Sequence, residues 1–193
     1  MRGVTGLVVA LAGCDAVFNL DRGPDAAPTA QACPADYASS LPTRPATLLK
    51  FAIAERSAYE HAQLCRMDLP GRTHLAAPTT KDDVLAMLQL LSQEGLTEPL
   101  FFVGGVQRRT ATSAAEGWVR ITGGDLPAQW NGVEPEDGGE PERHVEDIAA
   151  LWGTGAPGGM IDVDGRQQRY AICACDDEQI TLEAEAILDA LPR

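Results

Sequence analysis

The sequence predicts one α+β domain, with two helices early in the chain and short strands late. The chain has 193 residues and is 45% hydrophobic, which suits one sizeable core and leaves too little length for two ordinary domains. Two runs with helical spacing of apolar residues lie in the first half of the chain, and most of the short apolar runs typical of strands follow them. This segregation of helices and strands is characteristic of the α+β class.

The first predicted elements are a buried strand and two helices. The apolar run TLLKFAIA (47–54) suits a buried strand. The run ERSAYEHAQLCRM (55–67) predicts a helix with Ala58, Ala62 and Cys65 on one face.

The second helix, TTKDDVLAMLQLLSQEG (79–95), has the clearest pattern in the chain. The Thr80 side chain can cap this helix, and the Asp83 carboxylate can in return accept a hydrogen bond from the backbone N–H of the cap residue. Gly95 ends the helix. Its predicted buried stripe consists of Val84, Leu85, Met87, Leu88 and Leu91.

Four strand-like runs follow. They are PLFFVGGV (99–106), GWVRITGG (117–124), GMIDVDG (159–165) and QRYAICAC (168–175). The pair Asp164-Gly165 between the last two predicts a hairpin. Residues 177–193 predict a short amphipathic helix appended after the core.

The formal net charge of -13 and the sequence pI of about 4.5 argue against a polyanionic partner. Nucleic acids and anionic membrane surfaces select basic patches, and the sequence contains none. Cations, neutral sugars and basic proteins are compatible with this charge.

The N-terminal run MRGVTGLVVALAGCD resembles a bacterial lipobox. The resemblance implies that residues 1–13 are a signal peptide and that Cys14 carries a diacylglycerol anchor. Residues 14–32 mix Ala, Pro, Asp and Gly and predict a tether. We therefore expect an exported protein, lipid-anchored to the bacterial cell envelope at the outer membrane or cell surface.

Export changes what the other four cysteines imply, because disulfides form outside the cytoplasm. Cys173 and Cys175 are two residues apart in a predicted strand, so both side chains emerge on one face. A bond between them would strain the strand. Each is therefore expected to pair with Cys33 or Cys65, and this reasoning leaves the choice of partner open.

The segment from Glu134 to Asp147 contains seven carboxylates, with Arg143 as its one certain cation. Acidic runs rich in Gly and Pro are usually hydrated turns. The same carboxylates could instead surround a hard cation such as calcium, which takes six to eight oxygen ligands in a flexible geometry. Both interpretations stay open at this point.

Residues 33–176 resemble a C-type lectin-like domain. The order and spacing of several short pieces carry the resemblance: the opening Cys-Pro with a following aromatic at Tyr37, a cysteine on the first helix, and the runs THLAAP, FFVGG, WVRITGGDLPAQW and GMIDV. Cys173 follows Asp162 by eleven residues, as the final cysteine of the family should. The resemblance implies two helices, short and mostly antiparallel strands, and a long irregular loop region. It also implies that Cys65 pairs with Cys173, which leaves Cys33 for Cys175.

The resemblance also assigns a calcium site to the acidic segment. The implied ligands are Glu134, Glu136, Glu146 and Asp162, with Asp137 and Asp147 close by. In the family, calcium at these positions coordinates sugar hydroxyls directly.

This sequence departs from the family pattern at four positions. Glu136 and Ile161 replace two amides, so a bound sugar would lose two hydrogen-bond donors at about 1–3 kcal/mol each. Ile148 and Gly165 stand where the family has an inner disulfide. The acidic segment is therefore expected to be less restrained than in the family.

Three functions follow from the sequence, in order of preference. The first is non-catalytic recognition of a glycan or protein ligand at the cell envelope, and the second is calcium-dependent carbohydrate binding. The third is a structural envelope protein or a hydrolase. His61, His74 and His144 lie in no catalytic motif, and the carboxylates fix no glycosidase geometry. Trp118, Trp130 and Trp152 could stack on sugars, but Trp118 and Trp130 match apolar strand positions and are expected in the core.

Overall fold

A computed structural model describes residues 32–96, 100–111, 116–126, 148–152 and 159–191. Cys14, the signal peptide 1–13 and nearly all of the tether 14–32 lie outside the described residues. Residues Cys33–Arg193 are grouped as one compact unit by their contacts. Within the described residues, every helix is too short and too polar to cross a membrane.

The described elements are three helices and eight strands, an α+β arrangement. The helices are α1 (Ala58–Asp68), α2 (Lys81–Gln93) and α3 (Leu182–Asp189). The strands are β1 (Ser39–Leu41), β2 (Arg44–Arg56), β3 (Thr73–Leu75), β4 (Leu100–Gln107), β5 (Trp118–Arg120), β6 (Ile148–Trp152), β7 (Gly159–Val163) and β8 (Arg169–Cys175). The main path of the sheet runs β1-β2-β8-β4-β6-β7, with β3 paired to β8 and β5 paired to β4.

Strand β8 is the centre of this sheet. It pairs antiparallel with β2 along one edge. It also pairs in parallel with β4 at Tyr170 and Ala171, and antiparallel with β3 at Cys173 to Cys175. The other strand pairs are antiparallel, so the sheet is mixed. β8 therefore connects three strands that are distant in sequence.

The first helix begins later than predicted, because strand β2 continues to Arg56. Ser57 caps the helix and exchanges hydrogen bonds with Glu60, a complete capping box. Ala58, Ala62 and Cys65 are buried on one face as predicted, together with His61. The sequence prediction started this helix too early. The spacing of Ser57 and Glu60, which is that of a capping box, marks its actual start.

The second helix is capped by Thr80 as predicted, but the reciprocal hydrogen bond differs. The Asp83 carboxylate accepts from the backbone N–H of Thr79, one residue before the cap. Val84, Met87 and Leu91 are buried, and Leu88 is partly buried. Leu85 is 44% exposed, so its predicted burial was wrong. The apolar stripe in the sequence is wider than the face that the sheet covers.

The predicted hairpin at Asp164-Gly165 was wrong. A turn is present, since the Gln167 N–H donates to the Asp164 carbonyl. The flanking strands do not pair with each other: β7 pairs with β6, and β8 lies between β2 and β4. The turn instead contacts the first helix, where the Gly165 carbonyl accepts from the Ala58 N–H. Strands β1 and β6 were not predicted.

The sheet separates two apolar clusters. One contains α1 and α3 side chains with Phe102 and both β8 cysteines. The other contains the buried face of α2 with Phe101 and Met160. Helix α3 belongs to the first cluster through Ala184, Ile187 and Leu188, so the C-terminal helix is part of the core and not only an appendage to it.

Candidate functional site

The candidate site is bounded by the described residues on either side of residues 127–147, which include the acidic segment. Leu126 precedes these residues and Ile148 follows them. A Cβ atom placed on Gly105 of β4 would lie 2.8 Å from Leu126 Cδ1 and 2.8 Å from Ala149 Cβ. Leu126 and Ala149 therefore meet at one glycine, and a larger side chain there would push them apart.

Asp162 lies beside this point. It is on β7 and pairs with Ala149, which follows Asp147 by two residues. Its side chain is part of a strand with a largely buried pattern, and the residue is 8% exposed. A buried carboxylate requires polar or cationic partners, because its transfer from water is costly. Asp162 is thus held on a strand rather than on a loop.

Ile161 occupies the position before Asp162 and contributes no side-chain oxygen. It is partly buried and packs against the cluster that contains α1 and α3. Its side chain therefore serves the core, where the family resemblance implied an amide facing a ligand. Ile161 therefore differs from the family pattern in two ways: its side chain has no amide, and it packs against the core.

The other implied calcium ligands, Glu134, Glu136 and Glu146, lie outside the described residues, as do Asp137 and Asp147. Within the described residues, no group of three or more His, Cys, Asp or Glu is arranged to hold a metal ion. The calcium site thus stays a prediction from the sequence. The described residues locate one of its four members.

The disulfides follow the pairing that the family resemblance implied. Cys65 of α1 bonds to Cys173, with Cα atoms 5.5 Å apart, and Cys33 bonds to Cys175, with Cα atoms 6.0 Å apart. Cys173 and Cys175 share one face of β8 and one apolar cluster, as their spacing predicted. Both disulfides end on the central strand.

Ile148 and Gly165 also lie close together, as expected for the two positions of the missing inner disulfide. A Cβ atom on Gly165 would be 3.7 Å from Ile148 Cγ2 and 3.4 Å from Ala58 Cβ. These are ordinary packing distances. Apolar contact thus replaces a covalent bond between the strand that follows the acidic segment and the turn after β7.

A buried polar network joins the start of β3 to the end of β8, and sequence reasoning missed it. His74 Nε2 lies 3.0 Å from Asp176 Oδ1, and Thr47 Oγ1 donates to Asp176 Oδ2 at 3.1 Å. Burial, the largest influence, acts to raise the pKa of Asp176. Hydrogen bonds from His74, the Glu178 amide and Thr47 outweigh it and lower the pKa. The network is structural, because all three side chains are buried.

His61 is buried as well. Its Nε2 lies 2.9 Å from the Arg169 carbonyl, and its ring packs edge-on against Phe102. Burial is the main cause that lowers the pKa of His61. Both described histidines are therefore structural, as expected, and His144 lies outside the described residues.

Of the described tryptophans, Trp118 is buried, as predicted, and Trp152 is exposed. Trp118 is 7% exposed, and Trp152 at the end of β6 is 40% exposed. Trp130 lies outside the described residues. Trp152 is thus an aromatic at the surface of the sheet end.

No protein-family model and no curated protein sequence matches this chain. Solved structures do match it. The C-type lectin CEL-I from Cucumaria echinata is 13% identical, with a TM-score of 0.58, over 76% of this chain and 99% of that chain. The protein has the C-type lectin-like fold. The predicted fold class is therefore confirmed.

Two further C-type lectin-like structures illustrate the range of similar proteins. The C-type lectin domain of murine dendritic cell inhibitory receptor 2, in complex with N-glycan, is 16% identical, with a TM-score of 0.52, over 75% of this chain and 99% of that chain. A Ca2+-dependent type II antifreeze protein is 16% identical, with a TM-score of 0.51, over 66% of this chain and 90% of that chain. At these identities the likeness establishes the fold alone.

Proposed function

We propose that this protein is a non-catalytic recognition module of the bacterial cell envelope that binds a glycan or a protein. One observation carries the proposal: Leu126 and Ala149, which lie on either side of residues 127–147 in the sequence, meet at Gly105 of the sheet, and Ala149 pairs with Asp162. Binding residues are often on loops that a rigid scaffold positions. Similar structures include lectins, one of them in complex with N-glycan.

The envelope location rests on the lipobox-like run before Cys14 and on cysteine use. Two disulfides are typical of proteins outside the reducing cytoplasm. Acyl chains contribute about 0.8 kcal/mol for each buried CH₂ group, so two or more chains give stable membrane attachment.

Cell fractionation tests this part of the proposal. A Cys14→Ser variant should move from the membrane to the soluble fraction, whereas the control Thr29→Ser, in the predicted tether, should stay with the membrane. An unchanged distribution of the Cys14→Ser variant contradicts the anchor.

A second candidate function is calcium-dependent carbohydrate binding. Asp162 favours it, because this carboxylate is held on a strand next to the acidic segment. Glu134, Glu136 and Glu146 would supply further hard oxygen ligands, which suit calcium. The similar antifreeze protein is described as Ca2+-dependent. Because Ile161 and Glu136 supply no amide donor, we expect any monosaccharide to bind more weakly than in the family.

Glycan-array binding in calcium and in EDTA separates the candidates. Wild type is compared with Asp162→Asn and with the control Glu94→Gln, an exposed carboxylate at the end of α2. Retention that needs calcium and is lost only in Asp162→Asn supports the second candidate. Retention in EDTA supports calcium-independent recognition. Hydrolysis of a retained glycan, abolished by changing one carboxylate, contradicts a non-catalytic role.

A further inference from the structure

The two disulfides differ in how far solvent reaches them, although both end on β8. Cys65 and Cys175 are fully buried and Cys173 is 2% exposed. Cys33 is only partly buried and packs at the edge of the core. Thiol–disulfide exchange requires that a thiolate reach one of the sulfur atoms. Of the four bonded cysteines, Cys33 is thus the one residue that is not fully buried.

Residues 33–37, here called the N-terminal strap, have a second attachment that does not depend on the disulfide. The Tyr37 side chain is buried, and its hydroxyl donates to Asp68 Oδ2 at 3.0 Å. Lys50 Nζ lies 5.5 Å from the centre of the Tyr37 ring. The same ammonium contacts Asp36 at 2.8 Å and Asp68 at 2.6 Å. The end of the strap is therefore fixed to β2 and α1 by non-covalent contacts.

These contacts limit what opening the disulfide can release. Cys33 is three residues before Asp36. If the bond to Cys175 opens, Asp36 and Tyr37 keep their contacts while Cys33 is freed. Cys65–Cys173 continues to join α1 to β8. The core thus retains one covalent connection to its central strand.

We propose that Cys33–Cys175 is a redox-sensitive latch that a dithiol reductant opens without unfolding the domain. One thiolate of the reductant attacks Cys33 Sγ, forms a mixed disulfide and displaces Cys175, which takes up a proton as a thiol. The second thiol of the reductant, as a thiolate, then attacks the reductant sulfur that is bonded to Cys33. This attack releases Cys33, which takes up a proton, and closes the reductant into a cyclic disulfide. Two electrons and two protons pass from the reductant to the two cysteines.

The latch changes how the chain before Cys33 is connected to the domain. In the oxidised state a pull on that chain reaches β8 through a covalent bond. In the reduced state the same pull reaches the domain through Asp36, Tyr37 and Lys50. Oxidation and reduction therefore make and break the cross-link from Cys33 to β8, while the peptide backbone joins the preceding chain to the domain in both states.

Timed reduction by dithiothreitol under native conditions tests the latch. Samples are quenched with acid, alkylated in denaturant and mapped by peptide mass spectrometry. Cys33 and Cys175 should be reduced at least about tenfold faster than Cys65 and Cys173, because their bond is the accessible one. Equal rates, or faster reduction of Cys65–Cys173, overturn the proposal.

Near-UV circular dichroism of the same samples tests whether the domain stays folded. The aromatic signal should be unchanged when Cys33–Cys175 is open and Cys65–Cys173 is intact. A Cys33→Ala/Cys175→Ala variant should show the same signal without reductant. Loss of the signal in step with Cys33 reduction, or its absence in this variant, overturns the latch, because the bond is then required for the fold.

Discussion

The strands around β8 and the β6–β7 hairpin at one end of the sheet are held together by different means. On one side, β8 pairs with β2, β3 and β4 and carries both disulfides. On the other side, the described part of the β6–β7 hairpin joins the sheet through β4 alone and has apolar contact where the family has an inner disulfide. Both disulfides thus end on β8, and the described part of the hairpin contains none.

This difference separates stability from the candidate site. A scaffold with two long-range disulfides tolerates changes in the hairpin that borders the acidic segment, because its central strand is fixed independently. Helix α2 packs against both β1 and the β6–β7 hairpin. Its buried Asp83 contacts Thr43, between β1 and β2, and Thr79, so polar contacts attach the start of this helix. The comparison yields testable differences between the two sides.

The largest expected effect is the loss of Cys65–Cys173. This bond closes a loop with a sequence separation of 108. A Cys65→Ala/Cys173→Ala variant should lose about 4–5 kcal/mol of unfolding free energy in the chain-entropy model. Cys33→Ala/Cys175→Ala should lose less, because it also frees part of the strap in the folded protein. Chemical denaturation measures both losses of unfolding free energy. A smaller loss for Cys65→Ala/Cys173→Ala than for Cys33→Ala/Cys175→Ala contradicts this order.

The next effect comes from adding the missing inner disulfide. An Ile148→Cys/Gly165→Cys variant should form a bond, because a Cβ at 165 lies 3.7 Å from Ile148 Cγ2. Its control is Ile148→Cys/Gly165→Ser, which has the same core substitution and cannot form that bond. Thermal denaturation should show the bonded variant more stable by about 3 kcal/mol. No difference between the two means that the hairpin side gains nothing from covalent restraint.

A smaller effect is expected at Asp83. Its buried carboxylate accepts from Thr43 Oγ1 and from the amide and hydroxyl of Thr79. Asp83→Asn should cost about 2–3 kcal/mol, because the amide presents a donor where a carboxylate accepted hydrogen bonds. Asp82→Asn, an exposed neighbour in the same turn, is the control and should cost little.

The pH dependence of unfolding tests the same carboxylate. Burial, the largest influence, acts to raise the pKa of Asp83, but hydrogen bonds from Thr43 and Thr79 and the charge of Arg44 lower it overall. Because the pKa in the folded state is below the unfolded value of about 3.9, the stabilisation is present above about pH 4 and is lost as the pH falls through the folded-state pKa. Urea unfolding of Asp83→Asn should therefore depend less on acid than that of Asp82→Asn. Identical profiles contradict this role.

The sequence predicted the fold class and most of its elements. The periodicity of apolar residues is a local signal for helices and strands, and the order and spacing of the short motifs carried the family resemblance. The hairpin at Asp164-Gly165 was wrong because a turn signal reports two adjacent residues, whereas β8 takes its partners from distant parts of the chain. Strand β6 was missed because its short run IAALW is mostly buried and lacks alternation. Leu85 was misplaced because periodicity gives the apolar face of α2 but not how much of it is covered.

The buried polar network and the candidate site were less predictable than the fold. The contact between His74 and Asp176 joins residues 102 positions apart, and no local pattern announces it. For the calcium site, residue types could be proposed from the resemblance, and Asp162 could be placed on a strand. The arrangement of the other carboxylates depends on the backbone path of the acidic segment, which residue type alone does not determine.

The most direct test of the proposed cation site is thermal unfolding in EDTA, in about 10 mM calcium and in about 10 mM magnesium. Clustered carboxylates repel one another, so a bound cation stabilises the folded state. For a weak extracellular site with a Kd of about 10⁻⁴–10⁻³ M, calcium should add about 1.4–2.7 kcal/mol. Magnesium controls for charge screening. Asp162→Asn and Glu134→Gln should lose the calcium effect, whereas Glu94→Gln should keep it. Equal melting temperatures of the wild type in calcium and magnesium would contradict the site and leave the acidic segment as a hydrated loop.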